Sequence, residues 1–287
     1  MKRIFLAAAL LAGLQGCAIK APMPADEQQP TLTPRTSTYV DLLQLPEPRG
    51  RLVAAVYGFR DQTGQYKPNP ASSFSTAVTQ GAASMLVDAM QASGWFIVLE
   101  REGLQNVLTE RKIIRASQAK PDVAPNIASD LPSLMAANLI MEGAIVAYDT
   151  NIRSGGLGAR YLGIGASQEY RVDQVTVNLR AVDVRSGQVL ANVMTSKTIY
   201  SNGISANVYK FIEFKELLEA EAGYTTNEPA QLCVLAAIES AVGHLIAQGI
   251  ERRLWQPAEG IALEQTSLGK FLTAEPLPPP TADEDAT

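Results

Sequence analysis

The chain begins with an apolar run over residues 4–14, 11 positions long, directly behind Lys2 and Arg3. From 18 to 50 the apolar positions thin out and Pro, Thr and Gln take their place, the composition of an extended tether. Regular structure is expected from Arg51, where Leu52-Val53-Ala54-Ala55-Val56-Tyr57 reads as a short β-run, followed by a polar, Pro-punctuated loop over 61–73. Ser75 reads as the cap of a helix ending at Met90 or Gln91. In it Ala82, Met85, Leu86 and Ala89 recur at i, i+3, i+4 and i+7, and Gly94 ends it. Trp95-Phe96-Ile97-Val98-Leu99 is a buried type of strand. Leu104, Val107, Leu108 and Arg111 mark one side of a further helix that ends near Arg115. Asp130 is expected to cap a short helix with Pro132 in its first turn.

The period then changes. Residues 139–151 are strand-like, and Val175, Val177 and Leu179 alternate with Thr176, Asn178 and Arg180. Ser186-Gly187 turns that strand into the next, over 189–198. Asn227 and Pro229 open a long helix running to about Arg252 and carrying Leu232, Leu235, Ala236, Glu239, Val242, Leu245 and Ile246. After Trp255 the pattern fades, and 275–287 is Pro-rich and acidic, the composition of a disordered tail.

Two segments interrupt this soluble pattern. Residues 154–165 hold five glycines, which weaken a soluble strand, with Leu157, Tyr161, Leu162 and Ile164 between them. In the second, 200–224, Ile204, Ala206 and Val208 alternate with Gly203, Ser205 and Asn207, and Tyr209, Phe211 and Phe214 cluster behind them. Alternation with aromatics near the ends is the pattern of a transmembrane β-strand, and long surface hairpins are the other reading. Lipid tolerates no open sheet edge, so two membrane hairpins from one chain can close a barrel only with several copies.

Composition narrows the function. Lys2 and Arg3, the short apolar run and Leu14-Gln15-Gly16-Cys17 form an export signal with a lipobox-type cleavage site, since 11 apolar residues are too few to span a bilayer. An ordinary secretory signal with an incidental cysteine is the alternative. Cleavage makes Cys17 the lipidated first residue, carrying S-diacylglycerol and an N-acyl group, and Ala18 in place of an aspartate points to the outer membrane. Cys233 is then left without a disulfide partner. The net charge is −5 with no basic block, which gives nucleic-acid binding no support. No stretch of 18 consecutive apolar residues follows the signal, so no transmembrane helix is expected. The single histidine, His244, and Cys233 sit on the long helix, where packing explains both, and together they supply neither a metal site nor a catalytic triad. Gly158 and Gly163 have P-loop spacing, but Ile164 and Gly165 stand where Lys and Ser/Thr are needed. No enzyme and no cofactor are expected.

Motifs in a fixed order then carry a resemblance. They are Pro30-Thr31-Leu32, Asp61-Gln62-Thr63-Gly64-Gln65-Tyr66-Lys67-Pro68, Phe74-Ser75-Thr76-Ala77-Val78, Gly103-Leu104-Gln105-Asn106 and Glu110-Arg111-Lys112-Ile113-Ile114-Arg115-Ala116. Ser154-Gly155-Gly156, Gly158-Ala159-Arg160-Tyr161 and Asn227-Glu228-Pro229 complete the set. From about Thr31 to Trp255 the chain resembles the CsgG family of curli secretion channel lipoproteins. The resemblance implies a ring of about nine protomers, each lending four strands to one outer-membrane barrel above a ring of α/β domains. It implies unfolded curli subunits as cargo, a periplasmic cap or specificity accessory and a surface-exposed nucleation accessory as partners, and outer-membrane lipid around the barrel. It also places the loop over 64–79 in the channel, as a constriction. Phe74 matches the family's phenylalanine there, whereas Asn69 and Ser73 replace its tyrosine and asparagine. On sequence alone the preferred reading of Phe74 is a residue packed beneath the loop, a preference that the resemblance reverses.

The expected organisation is a signal peptide over 1–16, a lipidated tether over 17–50 and an α/β (α+β) periplasmic domain over 51–255. That domain has a mixed sheet and flanking helices, with transmembrane β-hairpins inserted at about 152–172 and 200–224; a flexible tail covers 256–287. The competing expectation is a peripheral periplasmic lipoprotein, an interaction module or activator of cell-envelope synthases without a pore. Such a protein has no use for the glycine-rich hairpin or the aromatics around Phe211.

Overall fold

A computed structural model describes residues 35–67, 75–118, 131–155, 168–205, 208–212 and 229–273. Six strands form one mixed sheet in the order β2-β1-β3-β4-β5-β6. Strand β1 (Leu52–Asp61) runs parallel to β2 (Phe96–Glu100) and to β3 (Leu139–Gly155). Strands β3, β4 (Gln168–Asp183), β5 (Val189–Ser205) and β6 (Val208–Ile212) follow as an antiparallel meander. The β1–β2 connection passes through helix α2 (Ala82–Ala92), as a parallel pair requires. The β4–β5 turn falls at Ser186-Gly187 as expected. Asp183 accepts from the Ser186 N–H at 2.9 Å and from its hydroxyl at 2.6 Å, which holds its carboxyl below the usual range, and Gly187 takes a φ of 71°.

One face of the sheet carries Ala54, Val56, Leu139, Met141, Ile145, Val175, Val177, Leu179, Ala191 and Val193, all buried. Across it lies helix α4 (Pro229–Glu251), whose Val234, Ile238, Val242, Leu245 and Ile246 form the stripe expected of a core-facing helix. Helices α1 (Ser37–Leu43), α2 and α5 (Ser267–Leu272) also pack against α4, so it is apolar nearly all round. By length and composition α4 is long and apolar enough to cross a membrane, but 72% of its most apolar window is buried within the domain. Helix α3 (Leu104–Gln118) has no buried residue over 104–116, and Arg101 and Arg111 donate to the carbonyls of Met135 and Pro132.

Several expectations need correction. The tether reading to residue 50 fails from Thr36 on. Thr36 caps α1 by accepting the Tyr39 N–H at 3.0 Å, Leu42 is fully buried, and the Trp95 indole donates to the Pro46 carbonyl at 2.8 Å. The tail reading from 256 fails as well. Pro257 bridges to Pro48, and α5 buries Leu268 and Phe271, the latter edge-on to His244 at 5.2 Å. Lys270 pairs with Asp41 at 2.6 Å, so the two ends of the fold meet over α4. Ser75 does not cap α2: its carbonyl accepts the Lys67 N–H at 2.8 Å, Thr76 bridges to Tyr66, and the helix starts after Gly81. Residues 131–137 contain no helix, so the Asp130–Pro132 expectation is not met. Strands expected to end at 151 and 198 run on to Gly155 and Ser205.

Among the described glycines, Gly249 has the most crowded surroundings. A Cβ on Gly249 would stand 1.8 Å from the indole of Trp255, which is buried and donates to the Ile246 carbonyl at 2.9 Å. Gly249→Ala is therefore expected to lower stability by about 1–3 kcal/mol, because expelling the indole outweighs the ~1 kcal/mol alanine gains in a helix. The urea midpoint followed by Trp fluorescence checks this; a midpoint at or above that of the parent would refute the crowding.

Candidate functional site

Strand β1 ends at Asp61, whose carboxylate builds the turn that follows. It accepts the Thr63 N–H and hydroxyl at 2.9 and 2.7 Å and the Gln80 amide at 3.1 Å. The Gln62 N–H donates to the Ile145 carbonyl on β3 at 2.9 Å, so the loop leaves the sheet while still fastened to it. Gly64 then turns the chain with a φ of 63°. Its two arms pair with each other: Ala77 N–H donates to Gln65 at 2.9 Å and Lys67 N–H to Ser75 at 2.8 Å. Buried Ala77 and Val78 anchor the return arm. These bonds close a neck. Asn69, Ser73 and Phe74, between Lys67 and Ser75, lie outside the described residues, and so does Cys17, the expected lipidation residue.

The loop leaves from the end of the sheet where the long strands outgrow their neighbours. β1 pairs with β3 only as far as Asp61 opposite Ile145. Beyond that level β3 continues to Gly155, β4 pairs with it from Gln168, and β5 pairs with β4 as far as Asn202. β6 joins only here, with Ile212 opposite Tyr200 and Tyr209 opposite Gly203. Strands of 17, 16 and 17 residues are about three times the usual length, long enough to serve the domain and a further layer. The segments expected as hairpins at 152–172 and 200–224 are thus continuations of core strands, where they are described.

A buried polar cluster marks the root of these extensions. The Tyr148 hydroxyl on β3 donates to fully buried Asp173 on β4 at 2.8 Å, and the Cys233 thiol of α4 lies 3.7 Å from the Asp173 carbonyl. Beside it the Thr195 hydroxyl of β5 donates to the Ala237 carbonyl at 2.7 Å. Cys233 and His244 prove to be packing residues. Burial pushes the His244 imidazole below its usual pKa, partly offset by a hydrogen bond with the Phe271 backbone. Among the described residues no group of three His, Cys, Asp or Glu side chains is placed to hold a metal.

Glu239 is the residue sequence reading undervalued. It lies on α4 with 1% of its surface exposed, accepting the Thr36 hydroxyl at Oε2, while Oε1 has no hydrogen-bond partner. Burial pushes its pKa up to about 7; the Thr36 hydrogen bond opposes this and the charge of Asp88 adds to it. The available signal is a carboxylate in the interior of a mostly apolar helix.

The model of one family, described as curli production assembly/transport component CsgG, matches residues 35–274. The chain is 53% identical over 255 residues to the curli production assembly/transport component CsgG of Escherichia coli K12, spanning 89% of this chain and 91% of that protein. The Salmonella typhimurium LT2 protein of the same description is 52% identical over the same shares. Among solved structures, a PelC dodecamer from Paraburkholderia phytofirmans aligns over 69% of this chain and 89% of its own at 13% identity, with a TM-score of 0.26, too slight a likeness to build on.

Tyr148→Phe removes one buried donor to Asp173 without changing shape. It is expected to destabilise the fold by about 1–3 kcal/mol, read as a lower thermal midpoint. An unchanged midpoint would mean that this hydroxyl contributes nothing at the strand root.

Proposed function

The chain belongs to the CsgG family of curli production assembly/transport components. From that premise we propose that it is an outer-membrane lipoprotein whose copies assemble into an ungated, ATP-independent pore, through which unfolded curli subunits pass from periplasm to cell surface. The observation that carries the proposal is the common origin of the Asp61–Gln80 loop and the strand extensions at one end of the sheet. A barrel built from those extensions would have the loop at its mouth.

Pairing rules support an assembly. Beyond Ile145 no described strand lies beside β3 on its β1 side, and β6 is the last strand on the other flank. A bilayer core allows neither edge to stay open. Three successive antiparallel pairings make β6 antiparallel to β3, so β6 of one copy can pair with β3 of the next in the same sense. Repetition of four strands closes a barrel without edges, and about nine copies are expected from the family resemblance.

Within the pore, the neck between Lys67 and Ser75 would present Asn69, Ser73 and Phe74 to the passing chain. A polar collar beside an apolar phenylalanine ring lets unlike side chains slide past without a deep binding well. Extended substrate would move by diffusion, biased by confinement beneath a periplasmic cap, and a surface-exposed nucleation accessory would receive it outside. Lipid on Cys17 would bring protomers to the outer membrane, and the barrel would then hold them there.

Single-channel conductance of the detergent-solubilised oligomer in a planar bilayer tests the pore directly. A detergent-free monomer after loss of the anchor, with no conductance, would favour a peripheral lipoprotein instead. Phe74→Ala is expected to cut curli subunit secretion severalfold while rings still assemble on native gels; normal secretion would remove Phe74 from the constriction. Cys17→Ser is expected to yield soluble periplasmic protein and no outer-membrane pores, as fractionation and conductance would show; pores at parental abundance would deny the lipid its delivery role.

A further inference from the structure

Helix α1 is only seven residues long and buries one residue completely, Leu42, so its attachment depends on few contacts. One of them is unusual. Thr36 Oγ1 accepts the Tyr39 N–H, capping α1, and donates its hydroxyl proton to Glu239 Oε2 on α4. The same side chain therefore starts α1 and ties it to the central helix. No cation balances the acceptor: Glu239 has no ion pair among the described residues, and its Oε1 is buried without a hydrogen-bond partner. The ionisable groups on the elements around α4 do not change this. Asp41 of α1 and Lys270 of α5 are spent on each other at 2.6 Å. Asp88 of α2 is a like charge acting on Glu239. Asp173 of β4 is bound to Tyr148, Lys197 of β5 makes no ion pair with Glu239, Arg35 beside Thr36 lies over the Tyr39 ring, and His244 on α4 itself meets Phe271 edge-on.

We propose that Thr36 and Glu239 form a proton-operated clasp that fastens α1, and so the start of the folded domain downstream of Cys17, to helix α4. With Glu239 neutral the docked arrangement buries no charge. With Glu239 ionised, the same contacts enclose an anion that has one hydroxyl donor and faces Asp88, and undocking α1 relieves it by admitting water. The direction follows from linkage. Docked, the carboxyl titrates near 7, whereas exposed it titrates near its ordinary 4.5, so the docked form keeps a proton that the undocked form loses between those values. Docking accordingly weakens as pH rises from about 4.5 to about 7 and changes little above that. Only α1 with its cap is predicted to loosen; the sheet, which Glu239 does not face, is not.

Hydrogen exchange on the full-length chain in detergent tests this, with protection factors of the Ser37–Leu43 amides compared at about pH 5 and about pH 8. Wild-type protection in α1 is expected to fall by up to about 70-fold over that range, the limit the two titration points set between those conditions, while amides of β3 and β4 keep theirs. Glu239→Gln should hold α1 docked with less than about twofold change between the two conditions, the scatter of such ratios. Asp88→Asn, at an exposed position and so harmless to folding, should make the fall smaller and end it at a lower pH. Flat protection in the wild type, or an undiminished fall in either variant, would overturn the clasp. Because the readout is local exchange, its failure is distinct from failure of the pore proposal.

Discussion

Helix α4 is stable in water only because it is covered on more than one side, and the domain is organised around that requirement. Its stripe of Val234, Ile238, Val242, Leu245 and Ile246 is enclosed completely, and Ala237 and Ala241 are small enough to bring neighbouring elements close. A sheet can cover one face of such a helix. The rest falls to α1, α2 and α5, which explains why the two ends of the fold converge on one place and why Asp41 and Lys270 meet there. Individually α1 and α5 are too short to be stable helices, since nucleation outweighs the few bonds they form. They persist because α4 supplies apolar surface for Leu42, Leu268 and Phe271.

The same helix sets the level at which the sheet changes character. Up to Ile145, Val175 and Thr195 the strands have α4 to cover them, and their inward residues are apolar and buried. Just beyond, Tyr148 and Asp173 place a buried hydrogen bond where the helix begins, a polar layer between the packed domain and the extensions. Past that layer β1 is gone and β6 appears, so a sheet with one covered face becomes a four-stranded ribbon. An isolated ribbon of this kind is a poor structure in water. Its length makes sense when other copies or a membrane complete it.

What could be read in the sequence was whatever repeats. The alternation around Val175, the long helix α4 and the Ser186-Gly187 turn each involve several residues with one local preference, and the structure has all three, although the innermost stripe of α4 runs through Val234 and Ile238 while Leu232 and Leu235 are only partly buried. Elements held by one or two anchors are not legible, because six or seven residues contain too little periodicity: α1 and α5 fall in stretches with the composition of a tether and a tail. Ser75 failed for a different reason. Its local chemistry suits a helix cap, but Lys67 across the loop claims its carbonyl, and no local rule foresees a partner eight positions back. Asn69, Ser73 and Phe74 came from family resemblance rather than residue pattern. Glu239 stood in plain view within an apolar helix, yet its meaning depends on Thr36, far away in the chain.

The loop and the ribbon constrain each other through a shared hydrogen-bond ladder. Asp61 is at once the last residue of β1, the acceptor that folds the loop, and the partner of Ile145 at the level where β3 leaves the domain. The Gln62 bond to Ile145 extends that ladder by one step, so the loop cannot tilt without pulling on the root of β3. At its other arm, Gln80 returns to Asp61 and Val78 is buried, which fixes the neck from both sides. A constriction hung on a flexible loop would vary in width from copy to copy. Here two rigid attachments define its position relative to the strands, so the geometry of an assembled ring would be inherited directly by its narrowest point. In the proposed pore, channel width would then depend on the number of copies and on the side chains carried between Lys67 and Ser75.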